Sequence, residues 1–356
     1  MNRRTFLASI PALAAARSLL GAAGAPQARI GICTFSCHQQ WNAVQAKQEG
    51  VKFSDAIGFY GYGRSLGAEG VQTALRSKDE TIAKQLRKRV EEDSGYYEGD
   101  LSLPKNEADI ARFETDVKLV RETGAVVARS TCTGARRYEF FKTLDEFLQF
   151  HAQSEKSLAL AEPIVRKYRL KLAIENHKDH TADELVALMK KYDSEWLGVL
   201  VDTGNNIGLL EDPYETVEAL APYAMSVHFK DMAVQPYEDG FLLSEVLLGT
   251  GALDLPRIVA SLTKSNPSIV FNLEMATRDP LRVPCLTDRY FATFPERKAE
   301  RLEAMMAWVK TNPPRQQPPF VSGKSVVQIL ADEEANNRDC LGWMRKNLRE
   351  PGKDDR

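Results

Sequence analysis

Short apolar runs alternate with longer stretches of helical spacing through most of this 356-residue chain. Residues 29–35, 68–75, 95–101 and 125–130 are predicted to be strands, and the segments between them have the period of amphipathic helices. Alternation of strand and helix is typical of a parallel sheet whose faces are covered by helices. The length of the chain fits one closed (β/α)8 TIM barrel.

Four further apolar runs in the second half of the chain each end on a side chain that can bind a divalent metal. The runs are residues 170–175, 197–202, 224–228 and 268–274, and they end on Glu175, Asp202, His228 and Glu274. A closed parallel barrel brings the carboxyl ends of all its strands to one face. We therefore expect the four side chains to converge at that face.

Residue alternation within these runs agrees with that placement. If Glu175 faces inward, Ala173 shares its side, and Asn272 shares the side of Glu274 in the same way. Bulky apolar groups then point toward the helices, and smaller or polar groups fill the barrel interior. This distribution suits a narrow barrel.

Beyond residue 277 the pattern changes to helices interrupted by two proline pairs. Residues 29–285 are therefore assigned to the barrel, and residues 286–356 to a C-terminal helical extension that covers one side of the barrel or another subunit. Within the barrel, residues 231–253 form a long insertion at the position where a barrel places an active-site loop.

The first 28 residues resemble a twin-arginine export signal. Arg3 and Arg4 precede a mildly apolar, alanine-rich stretch that is interrupted by Pro11 and Arg17. This stretch is too short and too interrupted for a good membrane span. We expect a periplasmic or otherwise exported protein without stable membrane insertion after cleavage, with an ordinary cleaved signal or an uncleaved anchor as the alternative.

Composition and charge narrow the class of partner. The chain is 43% hydrophobic and 27% charged, with a net charge of −2, so it offers no basic surface for nucleic acid. Its five cysteines include no CxxC pair, which leaves zinc-ribbon and thioredoxin functions unsupported. A small-molecule substrate is the expected partner, and a homo-oligomer stays open.

Three carboxylates and one imidazole form an oxygen-rich ligand set. Such a set favours one Mn²⁺ or Mg²⁺ ion, with Co²⁺ or Zn²⁺ as alternatives, over a thiolate zinc site. An ion of this kind polarises a sugar carbonyl and makes the neighbouring C–H bond acidic. Glu175 and Glu274, on opposite sides of the predicted barrel mouth, are then placed to remove and return that proton.

Five segments carry a resemblance to a known family: AIENHKDHT at 173–181, VDTGNNIG at 201–208, VHFKDM at 227–232, LGTGALDL at 248–255 and NLEMA at 272–276. In order, spacing and strand placement they resemble the xylose isomerase-like TIM-barrel superfamily, and within it the sugar phosphate isomerase/epimerase group. The resemblance covers most of residues 29–285 and implies one divalent ion held by Glu175, Asp202, His228 and Glu274. In ketose 3-epimerases of that superfamily the two glutamates are also the acid/base pair, acting through an enediolate.

The chain departs from the ketose 3-epimerase pattern at two positions. Asn205 stands where those enzymes commonly have a His after the metal-binding Asp, and Val234 stands where they have an Arg after the metal-binding His. Lys230 and Asp231 instead complete an HxKD arrangement, which resembles inosose dehydratase-like members. The resemblance therefore leaves the metal site intact and the exact reaction open.

Six residues near the predicted barrel mouth are candidates for substrate binding: His177, Lys230, Asn205, His38, Glu98 and Arg278. Lys230 has the same strand parity as His228, so we expect its ammonium to stabilise an oxyanion, with a structural ion pair as the alternative. His38 and Glu98 are assigned to the ends of the first and third strands. Arg136 and Arg137, after the fourth strand, are predicted to be a solvated loop pair.

These residues support three hypotheses about function. The first is an exported, metal-dependent sugar isomerase or epimerase. The second is a metal-dependent lyase or dehydratase of an oxidised sugar, such as a 3-keto-glycoside or an inosose, in which the same enolate expels a β-oxygen. The third is a metal-stabilised sugar-binding protein without catalysis, against which the presence of both Glu175 and Glu274 argues.

Overall fold

Eight parallel strands close into a barrel in a computed structural model that describes residues 28–294, 296 and 299–349. Around the barrel the order is β1-β10-β7-β6-β5-β4-β3-β2. The strands of the described residues are β1 (Arg29–Cys33), β2 (Gly70–Thr73), β3 (Tyr96–Asp100), β4 (Val127–Ser130), β5 (Lys171–Glu175), β6 (Leu197–Asp202), β7 (Ala224–Phe229), β8 (Asp231–Tyr237), β9 (Gly240–Val246), β10 (Val270–Leu273) and β11 (Leu281–Val283).

Helices connect the strands and cover the outside of the barrel. They are α1 (His38–Gln45), α2 (Ala56–Leu66), α3 (Glu80–Glu92), α4 (Ile110–Glu122), α5 (Arg137–Phe140), α6 (Leu144–Tyr168), α7 (Ala182–Tyr192), α8 (Pro213–Leu220), α9 (Leu255–Ser265), α10 (Asp288–Phe291), α11 (Ala299–Thr311) and α12 (Val326–Met344). The predicted TIM barrel is confirmed. None of the described helices is both long enough and apolar enough to cross a membrane.

Side-chain alternation along the strands separates two apolar regions. Val127, Ala173 and Leu200 form a small cluster of their own inside the barrel. Ile174 and Val199, which point the other way, belong to the large core between the strands and the helices. Because the interior has room only for small side chains and a few polar ones, the polar ends of the inward-facing rows meet at the carboxyl end of the barrel.

The insertion at residues 231–253, which was predicted to be a loop, folds mainly as a β-hairpin. Strands β8 and β9 pair in antiparallel register, and β11 adds a third strand on the other side of β9. Gly240 begins β9 with φ near +154°, and a Cβ atom there would lie 2.2 Å from the carbonyl oxygen of Val283. The close approach of β11 therefore requires glycine at the hairpin turn.

Helix α12 of the C-terminal extension packs against the barrel beside β1. Glu333 of α12 accepts hydrogen bonds from the backbone N–H groups of Gln39 and Gln40, at the start of α1, with distances of 2.7 and 3.0 Å. Asn337 donates a hydrogen bond to the carbonyl oxygen of Ser36. Polar contacts thus attach α12 next to the barrel mouth. The predicted export signal, apart from residue 28, lies outside the described residues.

Arg137 is buried, so the prediction of a solvated arginine pair is wrong for this residue. Its guanidinium lies 2.8 Å from Glu184 Oε2 and stacks 3.4 Å from the ring centroid of Phe147. Arg136 is partly exposed and pairs with Glu139. Glu184 is half-buried and belongs to the capping box of α7, and together with the ring of Phe147 it stabilises the charge of Arg137.

Candidate metal centre and barrel mouth

Four acidic or imidazole side chains converge at the carboxyl end of the barrel. Glu175 and Asp202 are the last residues of β5 and β6, His228 lies near the end of β7, and Glu274 directly follows β10. One ligand atom from each residue lies within 4.8 Å of the others, and each residue is at most 5% exposed. The structure therefore brings together the four residues that the sequence singled out, while their roles as ligands and as acid/base pair stay predictions.

The contacts of His228 fit a metal ligand. Its Nδ1 atom lies 2.5 Å from Glu274 Oε2 and 3.5 Å from Glu175 Oε2, yet it has no hydrogen-bond partner with acceptable geometry. An imidazole nitrogen crowded by carboxylate oxygens matches the donor set of a divalent cation. The buried cluster could therefore bind a metal ion.

The other ring nitrogen of His228 is held by a residue that the sequence analysis missed. Gln72 Oε1 lies 2.6 Å from His228 Nε2, and Gln72 Nε2 donates a 2.8 Å hydrogen bond to Glu98 Oε2. In this network Gln72 accepts the Nε2–H proton of His228, which leaves Nδ1 free to coordinate. Such partners orient metal-binding histidines in many proteins.

Glu98 lies in the middle of β3 and inside the barrel, not at the strand end to which the sequence analysis assigned it. Besides Gln72, the hydroxyl of Ser226 and the amide of Asn272 donate hydrogen bonds to its Oε2 atom. Burial raises the pKa of the Glu98 carboxyl, although these donors oppose the shift. Glu98 thus holds Gln72, which in turn contacts His228 of the cluster. Contact of Glu98 with a substrate stays a prediction.

Lys230 places a buried ammonium among the carboxylates. Its Nζ atom lies 2.7 Å from Asp202 Oδ2 and 2.8 Å from Glu274 Oε1. Burial would raise the pKa of Glu274, but the charges of Lys230 and then His228 hold it well below the usual value. Stabilisation of an oxyanion and a structural ion pair are compatible roles for Lys230, since an ion-paired ammonium at this position also faces the barrel mouth.

Arg129 of β4 places a second cation beside the cluster, and the sequence analysis did not identify it. Its Nε atom donates a 2.7 Å hydrogen bond to Glu175 Oε2, and its Nη1 atom donates to both carboxylate oxygens of Asp100 at 3.0 Å. Burial would raise the pKa of Glu175, but the charges of Arg129 and His228 lower it overall. Glu175 is therefore kept ionised.

Asn205 connects the acidic cluster with two lysines. Its amide nitrogen donates to Glu175 Oε1 at 3.3 Å, and its Oδ1 atom accepts from the ammonium groups of Lys230 and Lys178. Lys178 is buried and has a left-handed backbone conformation with φ near +65°. Burial, and then repulsion by Lys230, lowers the pKa of Lys178 to about 8.

Two of the remaining candidates lie together at the rim of the barrel mouth. His38 stacks on Phe35 with ring centroids 4.8 Å apart, and the guanidinium of Arg278 lies 5.2 Å from the same ring. His177 directly follows Asn176 at the end of β5 and is partly buried, and its Nδ1 atom has no hydrogen-bond partner. Their contacts with a substrate stay predictions.

Glu245 belongs to the β8–β9 hairpin and also reaches this site. Arg278 Nε donates a 3.1 Å hydrogen bond to Glu245 Oε2, and Glu245 Oε1 lies 3.8 Å from Lys230 Nζ. Burial would raise the pKa of Glu245, but Arg278 and then Lys230 lower it to about 2. The hairpin thus forms part of the site wall and contributes an ionised carboxylate.

Residues 62–311 match the family described as Xylose isomerase-like TIM barrel. The chain belongs to this family. A curated relative, 3-oxo-isoapionate decarboxylase of Pectobacterium atrosepticum, is 31% identical over 129 residues, which are 35% of this chain and 47% of the relative. The chain spans about half the length of the curated relatives it matches.

Solved structures show the same fold at low identity. D-psicose 3-epimerase from Clostridium cellulolyticum H10, solved with D-tagatose, is 13% identical with a TM-score of 0.55, and the match covers 80% of this chain and 97% of that one. The IOLI protein, solved with a zinc atom, is 13% identical with a TM-score of 0.50 and coverage of 86% and 99%. The predicted family is confirmed.

In this xylose isomerase-like barrel, polar residues that a strand pattern does not reveal surround the four-residue cluster. Gln72 and Arg129 lie on barrel strands that end without an acidic or histidine ligand, and Lys178 lies in a loop. Inward parity at the ends of β2 and β4 was the available signal for Gln72 and Arg129. We find no comparable sequence signal for Lys178.

Proposed function

We propose that this protein is a divalent-metal-dependent sugar isomerase or epimerase that moves a proton beside a carbonyl through an enediolate. The observation that carries the proposal is the convergence of Glu175, Asp202, His228 and Glu274 within 4.8 Å. A sugar-binding protein without catalysis has no need of two carboxylates at opposite ends of this cluster.

The four side chains would hold the ion, and three carboxylates with one imidazole suit Mn²⁺ or Mg²⁺. When bound, such an ion supplies a positive charge that polarises the substrate carbonyl and acidifies the adjacent C–H bond. The IOLI protein, which has the same fold, was solved with a zinc atom, and this supports a metal ion in the present barrel. Which ion is native remains part of the proposal.

Glu175 and Glu274 perform the proton transfer in this proposal. They lie at the two ends of an arc of four adjacent strands, β5-β6-β7-β10. A substrate carbon between them meets one carboxylate on each face, so one glutamate takes the proton and the other returns it. Return to the opposite face inverts the carbon, and return to the neighbouring carbon isomerises the sugar.

Arg129 and Lys230 tune this pair. Each keeps one glutamate ionised at neutral pH, which suits proton acceptance. Each also weakens that carboxylate as a base, since every unit by which its pKa falls costs about 1.4 kcal/mol. An ammonium close to Glu274 can also hydrogen-bond the developing enediolate oxygen, which offsets part of this cost.

The test is NMR of metal-loaded protein with a panel of ketosugars in D₂O. An isomerase or epimerase incorporates deuterium at the carbon beside the carbonyl and leaves the carbon skeleton intact. Glu274→Gln should lower turnover by about 10² to 10⁴-fold, the usual contribution of a general acid or base. The proposal would be refuted if no sugar in the panel incorporated deuterium in the presence of any of the divalent ions.

Glu162→Gln is the matched control. Glu162 is also buried, but it pairs with Arg166 and Ser194 at the opposite end of the barrel. We expect its turnover to stay near that of the unaltered protein. Equal losses in Glu274→Gln and Glu162→Gln would mean that the loss reflects folding and not proton transfer.

A lyase that acts on an oxidised sugar or sugar acid is the second candidate. The match to a decarboxylase favours it, as do the buried ammonium groups of Lys178 and Lys230, which suit a carboxylate substrate. In decarboxylation the C–C bond breaks, its electron pair enters the enolate, and carbon dioxide leaves without a base. The same NMR experiment with a 3-oxo sugar acid separates the two, because a lyase releases carbon dioxide or a β-substituent.

A further inference from the structure

A second group of ligand-type side chains lies outside the cluster described above. Cys132 follows β4, while Asp179 and His180 lie between β5 and α7. One ligand atom from each of the three residues lies within 4.8 Å of the others. Asp179 and His180 are each 1% exposed. None of the three contributes to the first cluster.

Asp179 has an unsatisfied oxygen in this group. Its Oδ1 atom accepts a 2.8 Å hydrogen bond from the backbone N–H of His180. Its Oδ2 atom is buried and has no hydrogen-bond partner, and it lies 3.5 Å from His180 Nδ1. A buried carboxylate oxygen without a donor is costly, so its position calls for a cation or a proton.

The opposite side of the His180 ring is occupied by a second histidine. His180 Nε2 lies 3.1 Å from His151 Nδ1 on α6. If His180 donates this hydrogen bond from Nε2, its Nδ1 atom carries a lone pair directed toward Asp179. His151 then has the role that a carbonyl or carboxylate plays behind many metal-binding histidines.

We propose that Cys132, Asp179 and His180 form a second metal site, which takes a borderline cation such as Zn²⁺ or Co²⁺. The ligands are one sulfur, one nitrogen and one oxygen, and water completes the tetrahedral set. On binding, the Cys132 thiol gives its proton to solvent and the thiolate coordinates the ion. The sulfur ligand distinguishes this site from the oxygen-rich first cluster.

The position of this site within the fold suggests what it would stabilise. It joins the loop after β4 to the loop after β5, which carries His177 and Lys178 at the barrel mouth. The proposal does not depend on the sugar chemistry of the first cluster, and either can fail without the other.

Cobalt titration of the full chain, after treatment with a chelator, tests the site directly. We expect a thiolate-to-cobalt charge-transfer absorption in the near ultraviolet that disappears in Cys132→Ser. Cys33→Ser is the matched control, because Cys33 Sγ lies 3.7 Å from Glu274 Oε2 and is the sulfur nearest the first cluster. An absorption that survives in Cys132→Ser, or one that only Cys33→Ser abolishes, would overturn the proposal.

Metal stoichiometry gives a second readout without spectroscopy. Zinc content should be one ion per chain lower in Cys132→Ser than in the unaltered protein. Cys132→Ser should lower zinc content by the same amount when Asp202→Asn has already altered the first cluster. Equal zinc content in Cys132→Ser and the unaltered protein would contradict a site that contains this sulfur.

Alkylation of the unaltered protein keeps the test decisive if Cys132→Ser does not fold. Cys132 is partly exposed, so its reaction with iodoacetamide can be followed by mass spectrometry of the Cys132 peptide. We expect Zn²⁺ to slow labelling at least about tenfold, because the coordinated thiolate is no longer a free nucleophile. The same protection should persist in Asp202→Asn. Equal labelling rates with and without Zn²⁺ would refute the proposal.

Discussion

Replacing Lys230 by Met tests the electrostatic design of the first cluster. Met retains most of the length of the side chain and removes the charge. Because Lys230 Nζ lies 2.7 Å from Asp202 Oδ2 and 2.8 Å from Glu274 Oε1, the substitution leaves both buried carboxylates without this partner. Among the described residues, His228 then remains in direct contact with Glu274 as a positive group.

The expected effect on the metal-free protein is large. Two unit charges 4 Å apart interact by about 4 kcal/mol at an effective dielectric constant of 20, and removal of one partner from a buried pair costs roughly 3–5 kcal/mol. We expect the free energy of unfolding of metal-free Lys230→Met to fall by roughly 3–5 kcal/mol. Protonation of Asp202, whose pKa burial raises to about 6 despite Lys230, would reduce this loss at acidic pH.

Lys230→Met should bind the metal ion more tightly, although the metal-free variant is less stable. A divalent cation between the four ligands is repelled by the neighbouring ammonium, so removal of Lys230 should tighten binding by on the order of tenfold or more, which is about 1.4 kcal/mol per factor of ten. Saturating metal should therefore stabilise the variant more than the unaltered protein. At a concentration of 100 Kd, a bound ligand adds about 2.7 kcal/mol to the free energy of unfolding.

The assay is urea denaturation of chelator-treated protein, with and without Mn²⁺, together with calorimetric measurement of Mn²⁺ affinity. Lys171→Met is the matched control, since Lys171 is exposed at the opposite end of β5, and it should change stability by no more than about 0.5 kcal/mol. Unchanged metal-free stability in Lys230→Met, or weaker Mn²⁺ binding, would refute this reasoning.

Three further predictions follow from individual contacts. Gln72→Leu removes the acceptor of His228 Nε2 and should weaken Mn²⁺ binding by about 10- to 100-fold in calorimetry, with an unchanged circular dichroism spectrum. Burial raises the pKa of Glu333 to about 8, so the folded state holds this proton more tightly than the unfolded state does, and stability is lost as pH rises from about 4.3 to 8. Between pH 5 and pH 8, the free energy of unfolding of Glu333→Gln should fall by roughly 3 kcal/mol less than that of the unaltered protein. Equal falls in the two proteins would contradict a raised pKa for Glu333. Arg137→Met should lower the free energy of unfolding by roughly 1–3 kcal/mol, since it leaves the carbonyl oxygen of Thr293 without its donor and half-buried Glu184 without its partner, whereas partly exposed Arg136→Met should cost less than about 1 kcal/mol.

The positions of the four cluster residues could be predicted because they depend on a simple regularity. Apolar runs of strand length ended on Glu175, Asp202, His228 and Glu274, and the geometry of a parallel barrel brings such ends together. The same regularity placed Asn205 and Lys230 near the cluster. Neither inference needed knowledge of which strands are neighbours.

The contacts that complete the site could not be predicted in this way. Gln72 meets His228 across the barrel interior, and Arg129 reaches Glu175 from the adjacent strand, so each pairing depends on register and on rotamers that the pattern does not contain. Arg137 was predicted to be a solvated loop residue because the sequence does not indicate that it pairs with Glu184 of α7. The hairpin was predicted to be a loop because it stands where a barrel places an active-site loop, although the residues after Gly240 are strongly apolar.

The charges around the first cluster favour the enolate that both proposed reactions form. Glu175, Asp202 and Glu274 carry three negative charges, and Arg129 and Lys230 carry two positive charges close to them. A divalent cation would turn this deficit into a surplus of one positive charge within the buried group. A neutral ketosugar gains little from that surplus, whereas the enediolate formed from it carries a negative charge and is stabilised by it. Isomerisation, epimerisation and decarboxylation all develop negative charge on the same carbonyl oxygen, so this arrangement favours the step that they share.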